Sequence, residues 1–181
     1  MTAFKQRFYI YAKRRKYWMK AAIVMGSKND YQVVERAEKV FDAFGVEYTT
    51  RIMSAHRTPS VAEAFSKNAE SEGIEVIIAA AGKAAHLGGV IAANTPLPII
   101  GLPIKSSTLD GLDSLLSIVQ MPKGIPVATV AIDGAENAAL LAVQILSVKY
   151  PELREAMRKY KADMEQEIIQ ADNAFQSEKR G

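Results

Sequence analysis

The sequence predicts an α/β protein with a parallel five-stranded sheet and helices on both faces. Short apolar runs rich in Ile, Val and Ala alternate along the chain with longer segments whose apolar residues recur at helical spacing. Strands that are buried on both faces of a parallel sheet give such continuous apolar runs. Alternating strands and helices also require crossover connections, which are right-handed and cover the two faces with helices.

The first half of the chain contains two predicted strand–helix units. After the first strand, Asn29 or Asp30 can cap the next helix, and Gly45 ends it. Thr58 as cap and Pro59 as first helical residue are typical of the start of the second helix. The predicted elements of this half are a strand over 21–25, a helix ending at Gly45, a strand over 47–53 and a helix from Pro59 to about Gly73.

The second half contains three further strands and ends in a long charged helix. Pro98 and Pro103 interrupt the fourth strand, and Pro151 begins the last helix. The predicted elements are strands over 76–81, 97–104 and 127–132, a small-residue helix after Gly89, and helices over 112–120, 135–148 and 151–178.

The last two helices raise the question of subunit contacts. The helix over 135–148 is apolar on nearly all sides, which favours burial between subunits. The last helix is polar overall, and packing on a neighbouring subunit is our interpretation of its apolar positions; a partly solvated arm on its own domain is the alternative. Those positions are Leu153, Met157, Tyr160, Met164 and Ile168.

The net positive charge of the chain comes from its first 18 residues. Residues 1–18 carry six lysines or arginines and no acid, which leaves 17 basic and 20 acidic residues in 19–181, a net charge of −3. We interpret 1–18 as a basic N-terminal extension and 19–181 as a single catalytic domain. A nucleic-acid or lipid tether is the alternative, because aromatic residues are interleaved with the basic ones. We expect activity and assembly to persist without the extension, and neither a nucleic-acid nor a membrane partner.

Composition excludes several kinds of chemistry. The chain has no cysteine, so disulfides, thiolate metal sites and cysteine nucleophiles are absent. No apolar run approaches the roughly 20 residues that cross a bilayer. These features favour a cytoplasmic enzyme of ordinary domain size.

Three loops, each after one of the first three strands, carry the residues that can bind a ligand. In an open parallel sheet, ligands bind beyond the carboxyl ends of the strands, where the strand order reverses. Helix N-termini follow these loops and add positive potential. The candidate residues in the three loops are Gly26, Ser27 and Asp30, then Ser54, His56 and Arg57, then Gly82, Lys83 and His86.

The residue types in these loops favour an anionic ligand that carries hydroxyl groups. Arg57, with Ser27 and Ser54, can hold a phosphate, and Asp30 can accept hydrogen bonds from ribose hydroxyls. The glycine spacing fits neither a P-loop nor a dinucleotide fingerprint. A mononucleotide or a sugar phosphate remains.

His56 and His86 are the two histidines of the chain, and both belong to these loops. A metal site needs more ligands than they supply, and no acidic residue stands at ligand spacing beside them, so we expect no metal. No serine, base and acid mark a nucleophilic triad. Acid–base chemistry by imidazole is the best-supported role, because histidine exchanges protons near neutral pH. The alternative for His86 is a polar helix cap, and for His56 a surface turn.

Several motifs in fixed order resemble the N5-carboxyaminoimidazole ribonucleotide mutase family of purine biosynthesis. The resemblance runs from about residue 20 to residue 148 and leaves 1–18 outside. The matching stretches are MGSKND at 25–30, SAHRTP at 54–59, AAHL at 84–87, DSL at 113–115, SIVQMP at 117–122, GIPV at 124–127 and NAALLA at 137–142.

The resemblance implies a fold, an assembly and a reaction. It implies a flavodoxin-like, three-layer, doubly wound sheet, a homo-octamer with active sites near subunit boundaries, and no metal, ATP or organic cofactor. The reaction is an isomerisation that moves a carboxylate from the exocyclic amine of the substrate to ring carbon four. His56 would transfer the proton and His86 would lie over the base and carboxylate. The implied substrate-binding residues are Gly26, Ser27, Asp30, Ser54, Arg57, Gly82, Ala85 and Leu87.

Three positions depart from the family pattern. Ala80 and Lys83 stand where glycines are common, and Gly88 stands where proline is common. Lys83 either pairs with the migrating carboxylate or points to solvent. The larger residues narrow the loop that would retain carbon dioxide, and Gly88 loosens it.

Two other functions stay open at this point. One is the carboxylase branch of the same family, which joins free carbon dioxide to aminoimidazole ribonucleotide; the AAHL loop favours the mutase. The other is a non-catalytic nucleotide-binding or scaffold protein.

Overall fold

The computed structural model describes residues 19–180, and the prediction for 1–18 lies outside them. Its centre is a five-stranded parallel sheet with strand order β2-β1-β3-β4-β5. The strands are β1 Lys20–Met25, β2 Glu47–Ile52, β3 Ile74–Gly82, β4 Ile99–Ile104 and β5 Ala128–Thr129. The helices are α1 Tyr31–Phe44, α2 Pro59–Asn68, α3 Leu87–Ala92, α4 Leu112–Val119, α5 Ala135–Leu146 and α6 Pro151–Arg180.

This architecture confirms the predicted α/β fold with a doubly wound, flavodoxin-like sheet and a long C-terminal helix. The order 2-1-3-4-5 places the topological switch between β1 and β3, which lie side by side at the centre. The loops after these two strands therefore leave the sheet toward opposite faces, and a crevice opens between them.

Two apolar cores cover the two faces of the sheet. Alternate residues of β1 divide between them: Ile23 faces one core and Val24 the other, as the period of two requires. Helices α1, α5 and α6 pack on the first face, and α2, α3 and α4 pack on the second. The residues of β1, β3 and β4 are almost fully buried, so these three strands are apolar runs in the sequence. The edge strands β2 and β5 are partly exposed.

Strand β5 is much shorter than the predicted run 127–132. Val130 N donates to Gly101 O and Asp133 N to Pro103 O, so the chain continues along β4 after the ladder has ended. Pro103 presents its carbonyl to this segment but has no N–H to donate in return. The ladder therefore lacks one bond at Pro103, and β5 ends as regular strand at Thr129.

Helices α5 and α6 pack mainly within their own chain where they are buried. Six residues of α5 belong to the first core, so most of its apolar surface is accounted for inside one chain. Leu153 and Met157 of α6 join that core, and Tyr160 contacts the ring of Phe44 at a centroid distance of 5.7 Å. Met164 and Ile168, by contrast, are 44% and 72% exposed.

Candidate active site

A cleft of about 650 Å3 opens at the carboxyl edge of the sheet. It lies between the loops that follow β1, β2 and β3, and the beginning of the loop after β4 closes one side. Nine of the ten predicted site residues line it, namely Gly26, Ser27, Asp30, Ser54, His56, Arg57, Gly82, His86 and Leu87.

The loop after β1 is a short 3-10 turn, Lys28–Asp30, that presents Ser27 and Asp30 to the cleft. Ser27 Oγ accepts a hydrogen bond from Asn29 N at 3.2 Å, which fixes the start of the turn. Asp30 occupies the N-cap position of α1, but its carboxylate makes no capping bond. Its oxygens therefore retain acceptor capacity toward the cleft.

Burial raises the pKa of the Asp30 carboxyl above its ordinary value. Two opposing effects, a backbone hydrogen bond from Ser27 and the positive charge of Arg57, lower the pKa but only partly offset the desolvation. Further hydrogen-bond donors, such as the hydroxyls of a bound sugar, would stabilise the charged form of this carboxylate.

The loop after β2 is closed by bonds between Ser54 and Thr58. Thr58 Oγ1 accepts from Ser54 N at 2.9 Å and donates to Ser54 O at 3.1 Å. Thr58 is the N-cap residue of α2 and Pro59 is at its start, as predicted, but the hydroxyl closes the loop and makes no capping bond to the helix. The three residues between Ser54 and Thr58 are thereby held as a tight turn, with His56 and Arg57 on its outer side.

Arg57 connects the first two loops. Its NH2 donates to Gly26 O at 3.0 Å, and its backbone N donates to Ser54 Oγ at 3.2 Å. The guanidinium therefore has a fixed direction, and its remaining N–H groups are available for a bidentate contact with an anion.

The two histidines meet across the cleft. His56 Nε2 and His86 Nδ1 are 2.9 Å apart, and the rings cross at 75° with centroids 5.0 Å apart. One of these two nitrogens carries the shared hydrogen and the other accepts it. His86 stands at the N-cap position of α3, yet its side chain makes no cap bond. Its contact is with His56, and the polar-cap alternative does not describe it.

The loop after β3 brings its residues to the cleft in different ways. Gly82 ends β3, and a Cβ there would lie 3.2 Å from Ile104 O, so a larger residue would crowd the neighbouring strand. Leu87 lines the cleft but is 2% exposed, which makes it part of the apolar floor. Ala85, the remaining predicted contact, is 1% exposed, packs in the second core and does not line the cleft.

Lys83 has a left-handed backbone conformation with φ of 57°. Such a conformation costs a residue with a side chain roughly 1–2 kcal/mol relative to glycine. The side chain is exposed and lines the same cleft as the histidines. Glycine is common at position 83 in the family pattern, and the left-handed backbone there explains why glycine is favoured. This chain has lysine at that position.

Sequence reasoning did not assign the residues at the end of β4 to the site. Lys105 and Ser106 line the cleft from this side, and Asn29 and Ala55 line it within loops already identified. Lys105 Nζ pairs with Asp110 Oδ1 at 3.1 Å. Ser106 Oγ donates to the carboxylate of Asp113 at 3.0 Å. The polar run after the fourth strand was the available signal, because all parallel strands end at the same edge of the sheet.

A second pocket, of about 720 Å3, lies at the opposite edge of the sheet, and its hydrogen bonds serve to hold elements of the fold together. Several of the side chains that line it bond to other parts of the protein: Glu75 accepts hydrogen bonds from Lys149 Nζ at 3.1 Å and from Tyr150 Oη at 2.5 Å. Lys20 Nζ donates to Glu72 O at 3.2 Å. These contacts join β1, β3 and the segment before α6. We therefore place the candidate active site in the smaller cleft, with the histidines.

Residues 19–180 offer neither a metal site nor a membrane span. No group of three or more His, Asp or Glu side chains in this part of the chain is arranged to hold a metal ion. No helix among the same residues is both long and apolar enough to span a bilayer.

Comparisons with known proteins agree on one family. A sequence model described as AIR carboxylase matches residues 20–167. The N5-carboxyaminoimidazole ribonucleotide mutase of Pyrococcus abyssi is 61% identical over 145 residues, 80% of this chain and 83% of that protein. The chloroplastic phosphoribosylaminoimidazole carboxylase of Vigna aconitifolia is 50% identical over 146 residues, 81% of this chain but 26% of that protein. The crystal structure of Treponema denticola PurE superposes with a TM-score of 0.79 at 32% identity, covering 85% of this chain and 96% of that one.

Proposed function

The chain belongs to the AIR carboxylase family, and from this membership we propose that it is an isomerase of purine biosynthesis. The proposed reaction converts N5-carboxyaminoimidazole ribonucleotide to 4-carboxy-5-aminoimidazole ribonucleotide. The observation that carries the proposal is the 2.9 Å contact of His56 and His86 in a cleft that also presents Arg57 and Asp30. The high identity to a mutase over most of both chains supports the choice of reaction.

The ribonucleotide would bind through the first two loops. Arg57, held by Gly26 O and Ser54, would contact the phosphate together with Ser27 and Ser54. The partly buried Asp30 would accept hydrogen bonds from the ribose hydroxyls. The aminoimidazole would then extend toward the histidines and the apolar side chain of Leu87.

In the proposed reaction His56 donates one proton to the substrate and later accepts one back from it. Protonated His56 gives a proton to the exocyclic nitrogen, the N–C bond electrons stay on that nitrogen, and carbon dioxide leaves. The electron-rich ring carbon then attacks the carbon dioxide, and neutral His56 removes the ring proton. His86 assists because a protonated His56 can donate from Nε2 to His86 Nδ1 until the substrate takes that place.

Retention of carbon dioxide is the second requirement. A closed site keeps the gas within reach of the ring carbon, so that recapture is faster than escape. The loop after β3 would provide this closure over the base. We propose that no metal, ATP or organic cofactor takes part, since the ring carbon of the aminoimidazole is nucleophilic by itself.

The proposal includes an assembly and a location. We propose a homo-octamer with active sites near subunit boundaries, as the family resemblance implies. A cytoplasmic location is proposed because the reaction belongs to nucleotide biosynthesis.

The closest alternative is carboxylation of aminoimidazole ribonucleotide with free carbon dioxide. The family description and the 50% identity to the Vigna aconitifolia carboxylase support this alternative. Supplying purified protein with each substrate separates the two reactions. We expect turnover with N5-carboxyaminoimidazole ribonucleotide; turnover only with aminoimidazole ribonucleotide and bicarbonate would replace the mutase by the carboxylase.

Replacing His56 tests whether the protein is an enzyme at all. We expect His56→Asn to abolish turnover, because asparagine cannot exchange the proton, while ribonucleotide affinity changes by less than about tenfold. Calorimetric titration of the same variant measures the affinity. Unchanged turnover would remove His56 from the mechanism, and a wild-type protein that binds but never turns over would favour the non-catalytic alternative.

A further inference from the structure

We propose that Lys83 is the residue that recognises the carboxylate of the substrate and distinguishes carboxylated ribonucleotides from aminoimidazole ribonucleotide. This inference rests on the proposed function and extends it to a residue where the chain departs from its family pattern. Three observations carry it: the place of Lys83 in the cleft, its backbone conformation, and the protein partners that the other cations of the cleft already have.

Lys83 lines the cleft from the same loop as His86. It directly follows Gly82, the last residue of β3, and precedes His86 by three positions in the same loop. The phosphate-binding candidates Ser27 and Arg57 belong to the loops after β1 and β2. A side chain on the third loop is therefore better placed for the base and its carboxylate than for the phosphate.

The backbone at Lys83 has a left-handed conformation that favours glycine over lysine. Its φ of 57° lies in the left-handed region, so a lysine at this position costs conformational energy that glycine would not. Residues held in such conformations cluster at functional sites, where the strain accompanies a task. A long cationic side chain that lines a ligand cleft from this position has one obvious task, which is to contact an anion.

The other two cations that line the cleft, Arg57 and Lys105, already contact protein groups, and the free N–H groups of Arg57 are assigned to the phosphate. Arg57 donates to Gly26 O at 3.0 Å, and Lys105 Nζ pairs with Asp110 Oδ1 at 3.1 Å. Within residues 19–180, by contrast, the Lys83 ammonium has no hydrogen bond or ion pair, although it lines the same cleft. Its three N–H donors are thus available for a ligand.

The chemistry of the two ligands makes the inference specific. Substrate and product both carry a carboxylate in addition to the phosphate, whereas aminoimidazole ribonucleotide carries the phosphate alone. An ammonium on a flexible stem can follow the carboxylate from the exocyclic nitrogen to the ring carbon, because it binds as a point charge without a fixed fork. Lys83 then strengthens binding of both carboxylated forms and leaves the bare ribonucleotide unaffected.

Three variants of Lys83 separate charge from backbone strain. Lys83→Met removes the ammonium but keeps an unbranched side chain and the strained backbone. Lys83→Gly removes both the ammonium and the strain. Lys83→Arg keeps a positive charge. The affinity of each variant for 4-carboxy-5-aminoimidazole ribonucleotide and for aminoimidazole ribonucleotide is measured by calorimetric titration.

We expect Lys83→Met and Lys83→Gly to bind the carboxylated ribonucleotide roughly tenfold more weakly, with a change of less than about twofold for aminoimidazole ribonucleotide. Lys83→Arg is expected to retain most of the discrimination. Equal losses for both ligands, no loss in either variant, or a loss in Lys83→Gly alone would overturn the inference. Wild-type protein that binds neither ribonucleotide would overturn the proposed function and this inference with it, whereas normal turnover with unchanged discrimination would overturn the inference alone.

Discussion

At the residue scale, Asp30 shows how a binding residue can lower the stability of the protein that holds it. Burial raises its pKa, with Ser27 and Arg57 opposing the shift. A carboxyl whose pKa is raised on folding favours the folded state below its unfolded pKa, and this contribution is lost as the pH rises through the folded value. At neutral pH the ionised Asp30 is therefore a cost to folding, which a sugar ligand can offset with hydrogen bonds.

Replacing Asp30 by asparagine separates its cost to folding from its role in binding. We expect Asp30→Asn to be at least as stable as the wild type at pH 7, with a stability advantage that grows as the pH rises from about 4. Ribonucleotide affinity falls by about tenfold, because a charged acceptor is lost. Urea unfolding at several pH values and calorimetric titration measure the two effects.

The matched control for Asp30 is Asp163→Asn. Asp163 lies in α6 and pairs with Lys159 Nζ at 2.7 Å in an exposed ion pair, which contributes little to stability. Its replacement leaves ribonucleotide affinity unchanged. A loss of stability in Asp30→Asn at neutral pH would contradict the expected sign.

The sequence revealed the chemistry of the site more fully than its geometry. The types and order of residues indicated that His56, Arg57 and Asp30 share one edge of the sheet, because parallel strands end together. The contact between His56 Nε2 and His86 Nδ1 depends on loop conformation and side-chain rotamers, which no spacing rule encodes. Ala85 was predicted as a contact from the family resemblance, yet it is buried in the second core, because adjacent residues in a loop point in different directions.

At the scale of elements, the packing of α4 against β4 depends on a glycine inside a strand. A Cβ at Gly101 would lie 2.3 Å from Ile118 Cγ2 and 2.9 Å from Val127 Cγ1. Both neighbours are β-branched, and Ile118 is buried, so neither can rotate away easily. The absence of a side chain at Gly101 therefore sets how closely the helix approaches the sheet.

We expect Gly101→Ala to lower the free energy of unfolding by about 3 kcal/mol, because the added methyl group would force Ile118 and Val127 out of their packed positions. Chemical denaturation measures the change. Gly88→Ala is the matched control: a Cβ there meets Val127 and Ala79 at ordinary distances of 3.6 and 3.7 Å, and Gly88 is helical. That variant is expected to be neutral or up to about 1 kcal/mol more stable. Similar losses in both variants would contradict this account of the packing.

The predicted elements were correct in kind, and their errors lie at the ends. The strand predicted over 127–132 is regular only at Ala128–Thr129, because Pro103 on the neighbouring strand lacks the N–H that would extend the ladder. The second helix ends at Asn68 and continues as turns to Gly73, where φ is positive. Apolar runs mark where a strand can be buried, but the partner strand decides how far the ladder extends.

At the scale of the whole molecule, the alternation of strands and helices predicted a parallel sheet but not the order of its strands. The family resemblance implied a flavodoxin-like, doubly wound sheet, and the structure gives the order 2-1-3-4-5; periodicity within a segment carries no information about its neighbours. The order matters for function, because it places β1 beside β3 and opens the cleft between their loops. Residues from four loops, including Lys105 after β4, then meet in one site.

One exposed apolar surface, formed by α4 and the turn before it, is a candidate contact surface for the proposed assembly. Leu112, Leu116 and Val119 follow one another at intervals of four and three residues, so they form one stripe along the helix, and Leu109 lies in the turn before it. The three stripe residues are 47%, 50% and 46% exposed in the single chain, and Leu109 is 67% exposed. Lys105 and Ser106, only a few residues earlier, line the cleft, so a subunit that covers the stripe would lie close to the active site.

A charge in this stripe tests whether the assembly uses it. We expect Leu116→Asp to reduce the mass of the assembly in light scattering, because an unpaired carboxylate would be buried in each copy of the interface. Turnover falls in parallel, since the loop that holds Lys105 and Ser106 loses its support. Val148→Asp, which adds the same charge at a side chain 78% exposed and outside the stripe, is expected to leave mass and turnover unchanged. An unchanged mass in Leu116→Asp would show that subunits contact one another elsewhere, and the exposed half of α6 would then be the next surface to test.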